Sequence, residues 1–389
     1  MDIQTDFNLL PASINERLLG VIAASLGGVF PAVGIAAYHE GRLALAIAAG
    51  KIDPVSGRGV VTPATRFDLA SLTKPFTTTA FLTLVSRGSV RLDDPLVSAI
   101  PEFGSAMAAP ERITFRHLLT HTAGLPPWGA IYHAEAQPAP PPPDQPDPVS
   151  RGERWSRSLK AICAHPFDAS GGEGVRYSDL GFVLLGEAIA RLWYAGNVVP
   201  PRAHLGLDMV ICEGISERLK LNSQGFNPVR NGVDPMSIAP TEDDQGWRKR
   251  RVWGEVHDEN ASAVGGVAGH AGLFSTAVDV AALGQAWLER SPQLRVAADL
   301  MDQAVSEQAA SDGERRGWGW MLRLPHGSSA GEKFSPSAYG HTGYTGTSLW
   351  IDPDRALVVA VLTNRVYVGR DSDGIHAFRR AVHDILADI

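Results

Sequence analysis

Strand-like runs crowd both ends of this sequence while helical runs fill its middle, an arrangement that few folds can accommodate. Near the start, residues 32–39 and 42–49 are two apolar, partly alternating runs. They are joined by Glu40-Gly41, turn chemistry suited to antiparallel strands. Near the end, 317–324, 347–351 and 356–363 read as strands, the last two joined by Asp352-Pro353-Asp354-Arg355. A helix at 13–26 spaces Ile14, Leu18, Leu19, Ile22 and Leu26 along one face and stops at Gly27-Gly28, and another at 375–386 closes the chain. The expected fold class is α+β: one antiparallel sheet built from 1–90 and 300–389, flanked by helices. Residues 91–299 then form an inserted, mainly helical domain, with helices over 114–120, 177–193 and 276–289. Within it the proline-rich run from Pro138 to Pro148 cannot donate a regular ladder of hydrogen bonds, which marks 126–148 as an extended surface loop.

The 389 residues suffice for a large core. A net charge of -7 offers no attraction for phosphate backbones or anionic lipid, so neither nucleic acid nor a membrane is an expected partner. The first residues, Met1-Asp2-Ile3-Gln4-Thr5-Asp6, are acidic where a secretory leader is basic, and the apolar stretch 18–38 is broken by Gly27, Gly28 and Pro31. A cytoplasmic enzyme is expected. Cys163 and Cys212 lie in no metal-ligand spacing and read as buried thiols. No pattern speaks to oligomeric state.

Chemistry enters at Ser71-Leu72-Thr73-Lys74, after an expected strand at 65–70 and before a helical pattern at 75–87. Serine and lysine three apart in a first helical turn face the same way, and Pro75 is tolerated there. A lysine desolvated in a closed pocket can lose enough basicity to activate a serine hydroxyl. The Ser71 amide at the helix N-terminus would face a developing oxyanion. Ser-x-x-Lys also arises by chance, and a capping serine beside a solvated lysine explains it equally well. A second element, Tyr177-Ser178-Asp179, follows the glycine-rich Gly171-Gly172-Glu173-Gly174, and its tyrosine could shuttle a proton. A third, His341-Thr342-Gly343, precedes the strand at 347–351, where glycine allows close approach of an extended substrate.

In this order and at these separations the three elements resemble the serine β-lactamase and penicillin-binding-protein superfamily, and within it the class C and esterase branch. Phe67-Asp68-Leu69-Ala70, the run from Arg116 to Leu125 and the run from Gly269 to Thr276 extend the resemblance over most of the chain. It implies a sheet domain and a helical domain with the active site in the cleft between them. By motif position it implies Ser71 as the acylated nucleophile, Lys74 as general base and Tyr177 as acid/base for the leaving group. The backbone amides of Ser71 and Tyr344 would form the oxyanion hole, and Asp179, His341, Thr342 and Gly343 would bind substrate. No metal or organic cofactor is expected, because each proton transfer has a side chain assigned to it.

Two positions depart from the family pattern. His341 stands where the family usually has a lysine that binds a substrate carboxylate, and Asp179 stands where class C enzymes usually have asparagine. Both shift the expected substrate from β-lactams toward small or medium uncharged acyl esters, although a protonated His341 paired with Asp179 would blunt that shift. The alternatives are a peptidase or amidase on D-amino-acid or cell-wall peptides with weak β-lactamase activity, and a binding or sensor protein acylated without turnover. The expected partner is a small-molecule ester or amide.

Several other residues carry simpler readings. Gly327-Ser328-Ser329-Ala330-Gly331 matches a nucleophile elbow but precedes a loop-like run, so it is read as a surface turn. His117 and His121 stand four apart without the glutamate or third ligand of a zinc site and are read as structural. His257 and His270 are expected in cleft-lining segments, Arg248-Lys249-Arg250-Arg251 on a solvated face, and Trp128 in the core, with the lining of an acyl pocket as its alternative.

Overall fold

In the computed structural model, which describes residues 3–105, 110–164, 174–195, 206–311, 313–371 and 373–389, the two chain ends share one antiparallel sheet. The N-terminal part supplies β1 (Ile3–Asn8), β2 (Ala32–His39), β3 (Arg42–Asp53) and β4 (Arg58–Val60). Short strands follow at β5 (Phe67–Asp68), β6 (Gly225–Phe226), β7 (Glu242–Asp244), β8 (Arg250–Val252) and β9 (Leu273–Ser275). The C-terminal part supplies β10 (Ala309–Ser311), β11 (Glu314–Arg316), β12 (Met321–Leu322), β13 (Tyr339–Thr342), β14 (Ser348–Asp352) and β15 (Leu357–Thr363). The sheet order is β1-β3-β2-β15-β14-β13-β12-β11-β10, with β4 on β3. At its centre β2 pairs with β15, from Val33 opposite Thr363 to His39 opposite Leu357, so the fold closes where the two ends of the sequence meet.

Both sheet faces are covered, which is why the central strands read as nearly continuous apolar runs. Leu357, Val359 and Val361 of β15 point into one core with Ile14, Leu18 and Ile22 of α1 (Ala12–Ser25) and with Phe378 and Val382 of α11 (Ile375–Leu386). Val358, Ala360 and Leu362 point into the other core, against α2 (Thr73–Ser86) and α9 (Ala277–Leu288), which α10 (Ala298–Ala304) follows in the chain. Gly284 lets α9 sit directly on the sheet, because a Cβ there would lie 2.6 Å from Val358 and 3.0 Å from Leu349. This helix falls within the 91–299 stretch, yet it packs on the sheet. That stretch also contains β6 to β9 beside α3 (Phe115–Leu119), α4 (Arg151–Ala164), α5 (Asp179–Tyr194), α6 (Leu207–Ile211), α7 (Glu217–Leu219) and α8 (Glu259–Ala263), so it is helical in the main but not throughout.

Helix α2 runs between the sheet and the helices of the middle segment, buried on every side from Thr73 to Leu84. Three of its threonines meet the demands of burial locally: Thr77, Thr79 and Thr83 each donate to the carbonyl four residues back, at 3.2, 2.8 and 3.0 Å. The expected strand at 317–324 is instead a tight hairpin. The backbone reverses over 317–320, with Gly319 at φ +70 and the Gly317 amide donating to Trp320 O, and this joins β11 to β12.

The proline-rich run is an irregular loop whose carbonyls accept from arginines outside it, Arg154 on Pro138 O at 3.1 Å and Arg250 on Pro140 O at 3.0 Å. Four side chains depart from expectation. Arg248 is buried and grips Asp244 and the carbonyls of Val256 and His257, tying the β7–β8 hairpin to the next segment rather than lying on a solvated face. Trp128 is 46% exposed instead of buried in the core. Cys163 is half-buried, packed against the edge of the core shared with α2 and α9, and Cys212 is exposed, so neither is the buried thiol expected. Among the described residues no helix is long and apolar enough to cross a membrane.

Candidate active site

Ser71 owes its position to strain and to a buried carboxylate. Asp68, at the end of β5, accepts the Ala70 N–H at 2.8 Å and the His257 N–H at 2.6 Å. Ala70 is held at φ +48, a left-handed conformation that a non-glycine residue rarely adopts. The chain therefore leaves β5 after two residues, shorter than the expected 65–70, and turns through a 3-10 segment, Ala70–Leu72, before α2 begins at Thr73. Ser71 thus sits just ahead of the α-helix rather than inside its first turn. Lys74 remains one turn away, with Nζ 2.8 Å from Ser71 Oγ.

The second element arrives from α5. Ser178 caps this helix through the Gly181 N–H and anchors it through Pro126 O. Tyr177, just before the cap, donates its phenol O–H to Ser71 Oγ at 2.9 Å. His121 stacks on the Tyr177 ring at 4.5 Å between centroids, and its Nδ1 accepts the Ser178 N–H at 3.0 Å. His117, which with His121 could have suggested a metal, instead caps α3 through Thr114. Close glycine packing sets the depth of α5: a Cβ on Gly269 would lie 2.1 Å from Phe182 O. The carbonyls of Gly269 and His270 then face α2, accepting from Thr77 at 2.8 Å and from Lys74 at 3.4 Å. Gly171, Gly172 and Glu173 lie outside the described residues.

Asp179 forms an ion pair with Lys74, Oδ1 to Nζ at 2.7 Å, with the lysine side chain wholly buried and the carboxylate 19% exposed. Burial by itself would strip the lysine of its proton, but the Asp179 carboxylate and the adjacent Tyr177 outweigh it and hold the Lys74 pKa above its ordinary value. The desolvated, weakly basic lysine expected from sequence is therefore a protonated one in the resting site. Burial raises the Tyr177 pKa against the pull of Lys74, leaving a neutral phenol. Ser71 Oγ thus accepts from both an ammonium and a phenol.

His341 is 1% exposed, with its ring 6.2 Å from that of Tyr177 and its Nδ1 2.8 Å from Thr342 O. Burial first, then the charges of Lys74 and Arg316, hold its pKa well below the ordinary value, so the imidazole is neutral at pH 7. It does not pair with Asp179, which Lys74 occupies, and it packs against Tyr177 without presenting a ring nitrogen to solvent. Thr342 Oγ1 lies 3.9 Å from Met321 Sδ. β12 pairs only with Tyr339 and Gly340, so His341, Thr342 and Gly343 have no strand partner on that side. A Cβ on Gly343 would meet Thr347 Oγ1 at 2.1 Å and Leu69 O at 2.5 Å, so only glycine lets this turn press against the segment carrying Ser71. Tyr344, half-exposed, stacks on His257, which in turn bonds Glu242 at 2.6 Å. The Ser71 and Tyr344 amides donate to no acceptor among the described residues.

A family model described as beta-lactamase matches residues 20–383. The chain belongs to the beta-lactamase family. It is a serine hydrolase with this family's mixed fold. A putative D-alanyl-D-alanine carboxypeptidase of Salmonella agona is 29% identical over 380 residues, covering 90% of this chain and 82% of that protein. Among solved structures, EstCE1, described as a hydrolase with promiscuous acyltransferase activity, has a TM-score of 0.71 at 22% identity and covers 95% of this chain and 98% of its own. A penicillin-binding protein homolog from Caulobacter crescentus also has a TM-score of 0.71, at 18% identity, covering 99% of this chain and 100% of its own. These two likenesses concern the fold of this beta-lactamase-family chain.

Sequence reasoning did not single out Arg316. Its guanidinium, 5.1 Å from the Tyr177 ring and bonded to Glu314, keeps a buried Nη1 with no partner among the described residues. Only the arginine preceding the Gly-Trp-Gly-Trp turn hints at it. The alternative serine, Ser329, lies in an irregular segment, where its carbonyl accepts from His383 at 2.8 Å and no helix follows.

Proposed function

We propose that this chain is a carboxylic-ester hydrolase that transfers small or medium acyl groups to Ser71 and then to water. The observation that carries the reading is the convergence of Lys74 Nζ and Tyr177 Oη on Ser71 Oγ, at 2.8 and 2.9 Å. A neutral His341, where the family usually carries a cation for a substrate carboxylate, supports an uncharged ester.

Because Lys74 rests protonated, it accepts the Ser71 proton in those molecules where its own has passed to solvent, and the Asp179 carboxylate sets how readily that happens. The Ser71 oxygen then bonds to the acyl carbon, and the amides of Ser71 and Tyr344 receive the negative charge on the carbonyl oxygen. As the ester C–O bond breaks, Tyr177 protonates the departing alkoxide and takes back from Lys74 the proton that came from Ser71, so Lys74 returns to its neutral, basic form. Water enters by the reverse sequence and releases the acid. In this scheme Asp179 tunes Lys74 rather than binding substrate. The unpaired side of His341, Thr342 and Gly343 is where an extended acyl group would lie.

Asp179→Asn tests this influence on Lys74. Without the carboxylate, burial outweighs the neighbours that remain and the Lys74 pKa falls. The ascending limb of the pH profile of kcat/KM is expected to move to lower pH. An unmoved limb would show that Asp179 does not set the basicity of Lys74.

One observation favours a second reading, a carboxypeptidase on D-alanyl peptides: the buried Arg316 charge beside Tyr177 could attract a substrate carboxylate. The Salmonella agona relative's name points the same way. A panel of p-nitrophenyl esters, a D-alanyl-D-alanine peptide and a chromogenic cephalosporin, each assayed with Ser71→Ala as control, separates the two. The ester reading expects the highest kcat/KM on an ester, whereas a higher value on the D-alanyl peptide would replace it with the second.

A further inference from the structure

The turn from Gly343 to Thr347 that carries the Tyr344 amide is held from outside at every carbonyl. Tyr344 O accepts from Arg365 Nε at 2.9 Å, Thr345 O from the Arg365 amide at 3.0 Å, and Gly346 O from Thr363 Oγ1 at 3.0 Å. The two remaining carbonyls, Gly343 O and Thr347 O, receive the same group: Arg379 Nη2, at 2.7 and 2.8 Å. Arg379 belongs to α11, on the sheet face opposite α2, and is only 3% exposed. Its side chain reaches from that far layer to the two ends of the turn and spans the point where the turn closes, the Gly343 N–H to Thr347 O bond of 2.7 Å.

The turn is fastened equally to the nucleophile's side. Thr345 Oγ1 donates to Asp68 O and Thr347 Oγ1 to Leu69 O, both at 2.8 Å, so the segment ending in Ser71 and the turn bearing Tyr344 move as one piece. With its carbonyls turned outward, the turn leaves the Tyr344 N–H without an acceptor among the described residues. Among the described residues the guanidinium meets carbonyls and no carboxylate, so none of them cancels its positive charge. Burial pushes its pKa down to about 9, which still leaves it charged at neutral pH.

We propose that Arg379 is the positioning residue of the oxyanion hole, fixing the Gly343–Thr347 turn from the far side of the sheet so that the Tyr344 amide meets the carbonyl oxygen being attacked. It touches no substrate and acts through the backbone of the turn. The inference rests on Ser71 being the nucleophile but is independent of whether the substrate is an ester or a peptide.

The test uses phosphonylation of Ser71 by a fluorophosphonate, whose phosphoryl oxygen needs the same hole, in the full chain and in Arg379→Met and Arg379→Lys. Arg379→Met is expected to lower the maximal labelling rate at least about tenfold while the half-saturating probe concentration stays within about twofold, since misaligned catalytic groups act on the reaction step. Arg379→Lys, which keeps a cation able to reach one carbonyl, is expected to recover part of that rate. It also serves where the methionine variant does not fold, and circular dichroism melts establish folding for both. Undiminished labelling in folded Arg379→Met, or a Lys variant no faster than Met, overturns the positioning role alone. Absence of labelling at Ser71 in the unaltered protein would instead overturn the nucleophile itself, and this inference with it.

Discussion

Ser71→Ala is expected to lower kcat/KM for the preferred acyl substrate by roughly four to six orders of magnitude, leaving only what the oxyanion hole and binding supply. The size of the loss follows from the geometry. The two groups that can move protons at this site, Lys74 and Tyr177, both meet at Ser71 Oγ. Ser329 cannot substitute, because its segment lacks the following helix and its hydroxyl has no partner among the described residues. The variant should remain folded, since the Lys74–Asp179 pair and the strained entry at Ala70 do not depend on the hydroxyl. Steady-state kinetics on the best ester, alongside a thermal melt, checks both halves of the expectation.

Lys74→Met is the second large effect, and it is expected in activity and stability together. Activity falls by about three to four orders of magnitude, because proton transfer from Ser71 has lost its acceptor. Stability falls because the Asp179 carboxylate is left unpaired. Breaking a fully buried pair costs about 3–5 kcal/mol, and the 19% exposure of Asp179 places this one nearer 2–3 kcal/mol. The two effects come apart in the double variant Lys74→Met/Asp179→Asn, which is expected to regain most of the stability and none of the activity. Denaturant unfolding of the single and double variants measures that separation. Recovery of activity in the double variant would show that Lys74 is not on the proton path.

Much of this site is legible in the sequence because its parts are local. Ser71 and Lys74 are three residues apart, Tyr177 stands at the start of a clear helical pattern, and the Glu40-Gly41 hairpin and the 356–363 run read directly as strands. Charge states are less legible. The protonation of Lys74 depends on a carboxylate 105 residues away, and the neutrality of His341 depends on burial beside Tyr177 and Arg316. Arg248 and Trp128 show the same limit: a basic run looks solvated until its partners at Asp244 and Val256 are in place, and a tryptophan looks like core until the layer around it is known. Arg379 reads in sequence as one more charge on an amphipathic closing helix. Only the fold brings it through to Gly343 and Thr347.

The central claim is that catalysis runs through a covalent acyl group on Ser71. It is tested most directly by quenching the protein during turnover of a slow ester and mapping the adduct by intact-mass and peptide mass spectrometry. The expected result is one added acyl mass on the peptide containing Ser71, absent in Ser71→Ala and longer-lived in Tyr177→Phe. An adduct on Ser329, or steady turnover with no acylated Ser71 at any time point, would contradict the account.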